Sequence, residues 1–417
     1  MLAGAKWAEG LLFVLAAVIY LSFSLPWYVD LVVLLGLGVI AVRSTWREMT
    51  LLLVSLLLAA LTLEAFLPGE GAQAFYREHE KWARATSYQP RVADRIAVPH
   101  GDLTALDPGA PVSILDPRHE EFVTDSLGFR NRADYAGELA VVVGDSFVVA
   151  NGSDQKDSLP EILTDELGLP AYSLGFPSAP MDYERRAAAF LPRLAPGALY
   201  AFLIFEGNDF ATDVPFRVGP NLYDRKRASA LKNSVPFLRY PKALFGMSRR
   251  AERVIGRMLG LDMHESVAVH PVGPKPVGFL RPYVEAALHP HPGYAVAGDE
   301  GVLKRMGCVF FVPDKYRVYK EFIEDGRAMP EPAPGLRALE AYYGPRGVPV
   351  MDLTPPLREA ARRELGAGRY VYWRDDTHWN GLGIRAVAPA VKSCLEARSR
   401  SPDSPVGFLT APGTARP

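Results

Sequence analysis

The stretch LAVVVGDSF (139–147) decides how the rest of the chain is read. Its apolar run has no polar face, so it suits a strand covered on both sides rather than one half exposed to water. The run ends in Gly144-Asp145-Ser146. A serine placed directly after such a strand can occupy the turn into a helix, where its hydroxyl is presented and backbone N–H groups converge.

Outward from this strand the chain alternates. SLPEILTDELG (158–168) reads as a helix stopped by Gly168, PAYSLG (170–175) as a strand, and MDYERRAAAFLPRL (181–194) as a helix. ALYAFLIFEGND (198–209) reads as a third strand that runs into a polar loop. The rhythm resumes with strands at CVFFVP (308–313) and VPVMDLT (348–354), then helices at 355–365 and 381–397. Strands buried on both faces and alternating with helices predict an α/β fold: an open parallel sheet sandwiched by helices. The catalytic domain is placed at 109–399, with an insertion at about 210–305 where the alternation breaks. Within it, 240–260 is amphipathic and basic, which suits a surface helix, a lid or a segment resting on a membrane. Residues 400–417 have little to bury and read as a disordered tail.

The first 68 residues differ in kind. WAEGLLFVLAAVIYLSFSL (7–25), WYVDLVVLLGLGVIAV (27–42) and TLLLVSLLLAALTLEAFL (50–67) predict three transmembrane helices, more than a cleaved leader needs. Glu9, Asp30 and Glu64 then lie near the interfaces or face protein. Lys6 before the first span, and Arg43 and Arg47 between the second and third, put those positions on the cytoplasmic side. Three spans deliver the remainder to the opposite face, through a connector at 69–108.

Composition excludes some classes. A net charge of −1 provides no global attraction for nucleic acid. Two cysteines, Cys308 and Cys394, cannot build a disulfide framework or a classical zinc site; two buried thiols are the expectation, with one disulfide as the alternative. HPHPG (289–293) has two histidines without clustered acids or thiols, so no metal and no cofactor is expected. NGS (151–153) matches a glycosylation sequon but adjoins the serine turn.

In an α/β sheet, loops at the carboxyl ends of the strands form the site. Here they carry Gly144-Asp145-Ser146, Gly175 and Gly207-Asn208-Asp209, with RDDTHWN (374–380) just before the last helix. Each signal is weak alone, since serine, asparagine and histidine commonly cap helices or hold turns. Together they supply a nucleophile, a base, a carboxylate to orient the base, and donors for an oxyanion.

These blocks resemble the SGNH (GDSL-type) hydrolase superfamily, named for serine, glycine, asparagine and histidine. The resemblance covers roughly 109–397, apart from the insertion. Glycine directly precedes Asn208, a one-residue departure from the commonest spacing. It implies Ser146 as nucleophile, His378 as base, and an oxyanion hole of the Ser146 and Gly175 amides with the Asn208 side chain. A narrower resemblance is to the SGNH-like proteins of alginate and surface-polysaccharide O-acetylation. It rests on Asp376-Thr377-His378-Trp379, on VPDKYRVY (312–319) and on DSLGFRN (125–131).

The wider superfamily's Asp-x-x-His spacing would select Asp375 as the orienting acid, and the acetylation group's Asp-x-His selects Asp376. Asp376 is the expected partner. Asp375 then turns away, to cap the last helix or pair with Arg374. Asp145 and Asp209 are expected to brace loops, and Glu206 to stand behind the site. Lys315 either binds an anionic substrate or holds a loop, and Trp373 and Trp379 either stack on a sugar or pack against the sheet.

The implied chemistry is acyl-ester transfer or hydrolysis on an extracytoplasmic glycan. The expected partners are the membrane, a polysaccharide, and an acyl donor such as a partner membrane acyltransferase. A non-catalytic carbohydrate-binding protein and a lipid esterase or thioesterase are the competing readings.

Overall fold

The computed structural model describes residues 87–106, 110–210, 217–218, 267–288, 295–296, 298–324 and 326–400. They all belong to one compact unit, 71–220 with 265–417. The three apolar N-terminal stretches, the 240–260 segment, HPHPG and the C-terminal tail lie outside the described residues. Among the described residues no helix is long and apolar enough to cross a membrane.

The elements that matter follow in chain order. β1 (Ala93–Val98) leads into α1 (Asp102–Leu106), and β2 (Arg118–Val123) pairs antiparallel with β1. Next come β3 (Ala140–Val143), α2 (Ser146–Val149), β4 (Ala171–Ser173), α3 (Pro180–Phe190) and β5 (Leu199–Phe205). The antiparallel pair β6 (Val267–Val272) and β7 (Lys275–Leu280) precedes α4 (Arg281–Leu288) and α5 (Glu300–Arg305). The chain closes with β8 (Met306–Val312), α6 (Lys315–Tyr319), α7 (Pro334–Tyr343), β9 (Val350–Asp352), α8 (Thr354–Leu365) and α9 (Gly381–Arg400).

The central sheet has five parallel strands in the order β9-β8-β5-β3-β4. Successive residues alternate between its faces, which explains the uninterrupted apolar runs. Ala140 and Val142 of β3 join Leu199, Ala201, Leu203 and Phe205 of β5 on one face, beneath α8 and α9. Val141, Val143, Tyr200, Phe202 and Ile204 point to the other face, against α3 and α7. The sequence expectation of a two-sided parallel sheet holds.

Two features revise the expected organisation. The chain from residue 87 onward is not a mere connector: Tyr88, Val92, Val98, Phe122, Val149 and Phe176 share an apolar cluster, which carries β1 and α1 into the domain. The expected insertion is partly built into the domain as well. Gly278 of β7 donates its N–H to the Arg374 carbonyl at 2.9 Å, so the β6–β7 pair lies against the RDDTHWN loop.

Cys308 of β8 and Cys394 of α9 form a disulfide, which corrects the expectation of two buried thiols in favour of the alternative. Both are buried in the face shared with Phe310 and Val391. The pairing was illegible because 86 residues separate them in sequence.

Candidate active site

The order of the sheet puts its switch point between β3 and β5, whose connections leave in opposite directions. In such sheets the carboxyl ends of these strands border a crevice. Ser146 follows β3 and Asn208 follows β5.

Ser146 begins α2, a single turn with Asp145 as its N-cap. The Asp145 carboxylate accepts the Phe147 N–H at 2.9 Å, and burial pushes its pKa up to about 6. The turn packs tightly on β4: a Cβ at Gly175 would come within 2.8 Å of Val148 and 2.9 Å of the Val149 nitrogen. The glycine is therefore required for space. Arg186 of α3 holds the same region by donating to the carbonyls of Gly144 at 2.8 Å and Leu174 at 3.1 Å.

His378 reaches the serine from the loop before α9. Its Nε2 lies 2.7 Å from Ser146 Oγ, and its Nδ1 lies 2.6 Å from Asp376 Oδ1. The Phe147 ring lies 5.0 Å from the imidazole. Burial disfavours the charged imidazole, but Asp376 foremost outweighs it, so the His378 pKa is raised. The Asp376 carboxyl is conversely held low: burial is overcome by His378, with Arg118 assisting.

Asp375 neither caps α9 nor pairs with Arg374. Its Oδ1 accepts from Arg118 at 3.0 Å, and its Oδ2 accepts the N–H groups of Gly101 at 2.8 Å and Asp116 at 3.0 Å. Arg374 instead ion-pairs with Asp116 at 3.1 Å. The cap of α9 is Asn380, whose Oδ1 accepts from Leu382 at 3.0 Å and Gly383 at 3.2 Å.

Lys315 holds the loop. Fully buried at the start of α6, its ammonium donates to the carbonyls of Asp376 at 2.7 Å, Trp373 at 3.1 Å and Arg374 at 3.4 Å. Burial brings its pKa down to about 8. Trp379 also packs inward: it is fully buried and donates its indole N–H to the Phe147 carbonyl at 3.1 Å. Trp373 lies under the Arg118 guanidinium, 4.2 Å from its centre. Asp209 accepts from Phe205 N–H at 2.8 Å and from the Tyr183 hydroxyl at 2.7 Å. Glu206 ion-pairs with Arg317 at 2.6 Å and accepts the Asp314 N–H at 2.9 Å, which ties β5 to α6.

Of the three oxyanion donors expected, two are free among the described residues. The Ser146 N–H stands at the first turn of α2 without a backbone acceptor, and the exposed Asn208 side chain has no hydrogen-bond partner. The Gly175 N–H donates to the Ser173 hydroxyl at 3.1 Å, so it reaches an oxyanion only if that hydroxyl turns aside.

Three participants escaped the sequence reading: Gly101, Asp102 and Arg118. Asp102 accepts the Thr377 N–H at 2.7 Å and the Thr377 hydroxyl, and its Oδ2 lies 3.7 Å from His378 Nδ1. Burial, then the charge of Asp376, raises its pKa to about 7. A Cβ at Gly101 would stand 2.6 Å from that of Asp376 and run into the Asp375 carbonyl. These residues have no motif spacing; a chain distance of about 260 residues separates Arg118 from its carboxylates.

One ligand atom each from Asp102, Asp376 and His378 lies within 4.8 Å of the others. In this arrangement His378 Nδ1 meets Asp376 Oδ1 at 2.6 Å, and the Asp102 carboxylate accepts from Thr377.

The DSLGFRN segment proves to be a brace. Asn131 exchanges hydrogen bonds with the Ser173 backbone at 2.8 and 3.0 Å, and Arg130 donates to the carbonyls of Val149 at 2.7 Å and Ala150 at 3.0 Å. The sequon serine, Ser153, is buried in the turn that Arg130 also holds.

Residues 303–413 match the family model described as SGNH hydrolase-like domain, acetyltransferase AlgX. The matched part contains β8, α6 with Lys315, and the loop with Asp376 and His378; Ser146 lies before it. It is the family to which the motifs pointed. No curated protein and no solved structure matches the chain.

Proposed function

We propose that this protein is a membrane-anchored serine O-acyltransferase or acyl-ester hydrolase acting on extracytoplasmic carbohydrate, most specifically an O-acetyltransferase or acetylesterase of a cell-surface polysaccharide. The observation that carries the reading is the continuous line from Ser146 Oγ through the His378 imidazole to Asp376, with contacts of 2.7 and 2.6 Å.

The chemistry follows from the geometry. His378 Nε2 takes the Ser146 proton as Oγ bonds to the carbonyl carbon of an acyl ester. The Ser146 N–H and Asn208, joined by Gly175 if Ser173 yields it, hold the resulting oxyanion. The intermediate collapses, the ester C–O bond breaks, and Nε2–H protonates the departing alcohol. A sugar hydroxyl, or water, then gives its proton to His378 as its oxygen bonds to the acyl carbon; the second intermediate collapses, the acyl–Oγ bond breaks, and Nε2–H returns the proton to Ser146 Oγ. Asp376 keeps Nδ1 protonated and stabilises the imidazolium that forms twice in this cycle.

Placement outside the cytoplasm is supported by the three apolar N-terminal stretches with their flanking Lys6, Arg43 and Arg47. The Cys308–Cys394 disulfide agrees, because such bonds persist in oxidising compartments. The matched family supports acyl-ester chemistry on a polysaccharide.

A fluorophosphonate probe tests the reading. The full chain in detergent should label, and Ser146→Ala should not. Folded protein that binds glycan without labelling would instead be a carbohydrate-binding module. Among labelled proteins, faster release from long-acyl esters than from acetylated sugars would favour a lipid esterase.

A further inference from the structure

We propose that Arg118 is a positioning residue of the triad: its two-pronged guanidinium fixes Asp376 against His378 while balancing the charge of the adjacent Asp375. This rests on Ser146, His378 and Asp376 being the reactive set.

Two neighbouring carboxylates are buried here, Asp375 fully and Asp376 at 5% exposure. Left alone they would repel each other and overload the imidazole with negative charge. Arg118 answers both problems. One nitrogen donates to Asp375 Oδ1 at 3.0 Å and the other to Asp376 Oδ2 at 2.8 Å. The Asp102 N–H also binds that Oδ2, at 3.1 Å. Asp376 Oδ1 is thereby left to His378, accepting from its N–H at 3.1 Å and meeting its Nδ1 at 2.6 Å. With both oxygens held from opposite sides, the carboxylate cannot turn.

Arg118 is itself aimed. Its Nε donates to the Gly152 carbonyl and a terminal nitrogen to the Asp116 carbonyl, both at 2.9 Å, while its face covers Trp373. Only a planar fork can serve two carboxylates and these carbonyls at once; a lysine offers one point charge. The other charged groups facing this cluster are Asp102 and Asp145 toward His378, Glu120 toward Arg118, and Lys315 beneath Asp376. Lys315 spends its hydrogen bonds on backbone carbonyls. Among the described residues, Arg118 is the cation hydrogen-bonded to the carboxylates of the loop. Without it, His378 gains proton affinity and is withheld as a base at neutral pH.

The test reads His378 directly. Full-length protein carrying ¹³C-labelled histidine is titrated by NMR, with the His378 signal assigned by its loss in His378→Gln. The rate of Ser146 fluorophosphonate labelling is followed over the same pH range. In Arg118→Gln the His378 midpoint should rise by about one unit or more, and the acid limb of labelling should rise with it. Arg118→Gln combined with Asp375→Asn removes one charge of each sign and should return the midpoint towards wild type.

Arg118→Lys, which keeps the charge and covers any failure of the glutamine variant to fold, should leave the midpoint near wild type but slow labelling. An unchanged midpoint in Arg118→Gln, or a shift that survives in the double variant, overturns the proposal. So does a lysine variant that labels at the wild-type rate. If wild type titrates normally but never labels Ser146, the triad reading fails, while the comparison of midpoints still decides what Arg118 does to His378.

Discussion

His378 Nδ1 lies 2.6 Å from Asp376 Oδ1, whereas the carboxylate of the preceding residue, Asp375, is wholly taken up by Arg118, Gly101 and Asp116. Adjacent acids of identical chemistry thus have separate tasks, set by which neighbours supply their donors. Asp376→Asn should lower kcat on an acetyl ester by about 10⁴-fold, the loss expected when the orienting acid of a triad no longer fixes the tautomer. Asp375→Asn should retain far more activity. The reverse ranking would show that the contact at His378 does not operate in catalysis.

The charge around His378 predicts its pH dependence. Burial alone would favour the neutral ring, but Asp376, then Asp102 and Asp145, raise its pKa above the ordinary imidazole value. The base must be unprotonated to act, so activity should rise with pH through a midpoint above about 6.5. Asp102 sharpens the sign. Asp102 itself titrates at about 7, so where it is ionised its charge, 3.7 Å from Nδ1, favours the imidazolium, and removing that charge moves the upper part of the acid limb to lower pH. A pH–rate profile of Asp102→Asn against wild type measures this; an unmoved or raised limb contradicts it.

The sheet was legible because its strands are buried on both faces. Val141, Phe202 and Val309 share one face while Val142, Leu203 and Phe310 occupy the other, so each strand reads as unbroken apolar sequence. Ser146, Asn208 and His378 could be named because strand ends and helix starts announce themselves locally. Asp102 and Arg118 could not. Both belong to the β1–β2 region, whose strands are partly exposed and carry several charged residues, and both meet the site only through tertiary packing. The same limit applied to Cys308 and Cys394, whose proximity depends on how α9 lies along β8.

The oxyanion donors make a third prediction. Asn208 follows β5 with an exposed amide that has no hydrogen-bond partner among the described residues, so Asn208→Ala should reduce kcat by about 10²–10³-fold with little change in folding. Ser173→Ala distinguishes the role of Gly175. It releases the Gly175 N–H from the hydroxyl that accepts it at 3.1 Å, and activity should be kept or raised. A loss as large as that of Asn208→Ala would mean that Ser173 supports the site in another way.

The disulfide makes the last prediction, on stability. Cys308 sits in the central strand β8 and Cys394 in α9, the helix whose N-terminus follows His378 directly through its cap, Asn380. Closing a loop across 86 residues of sequence stabilises the folded chain by about 4–5 kcal/mol where the entropy of the unfolded chain dominates. Yet Ile384, Val387, Ala388 and Val391 also bury α9 against the sheet, so the helix has a second means of attachment. Cys308→Ala with Cys394→Ala should therefore remain active in buffer but unfold at lower denaturant, its midpoint no longer sensitive to reductant. Denaturation followed by near-ultraviolet circular dichroism, with and without reductant, makes the comparison. A wild-type midpoint that ignores reductant while the cysteines react as free thiols would show that the bond does not form. Inactivity of a folded double variant in buffer would instead show that the bond, rather than the apolar face of α9, keeps His378 in place.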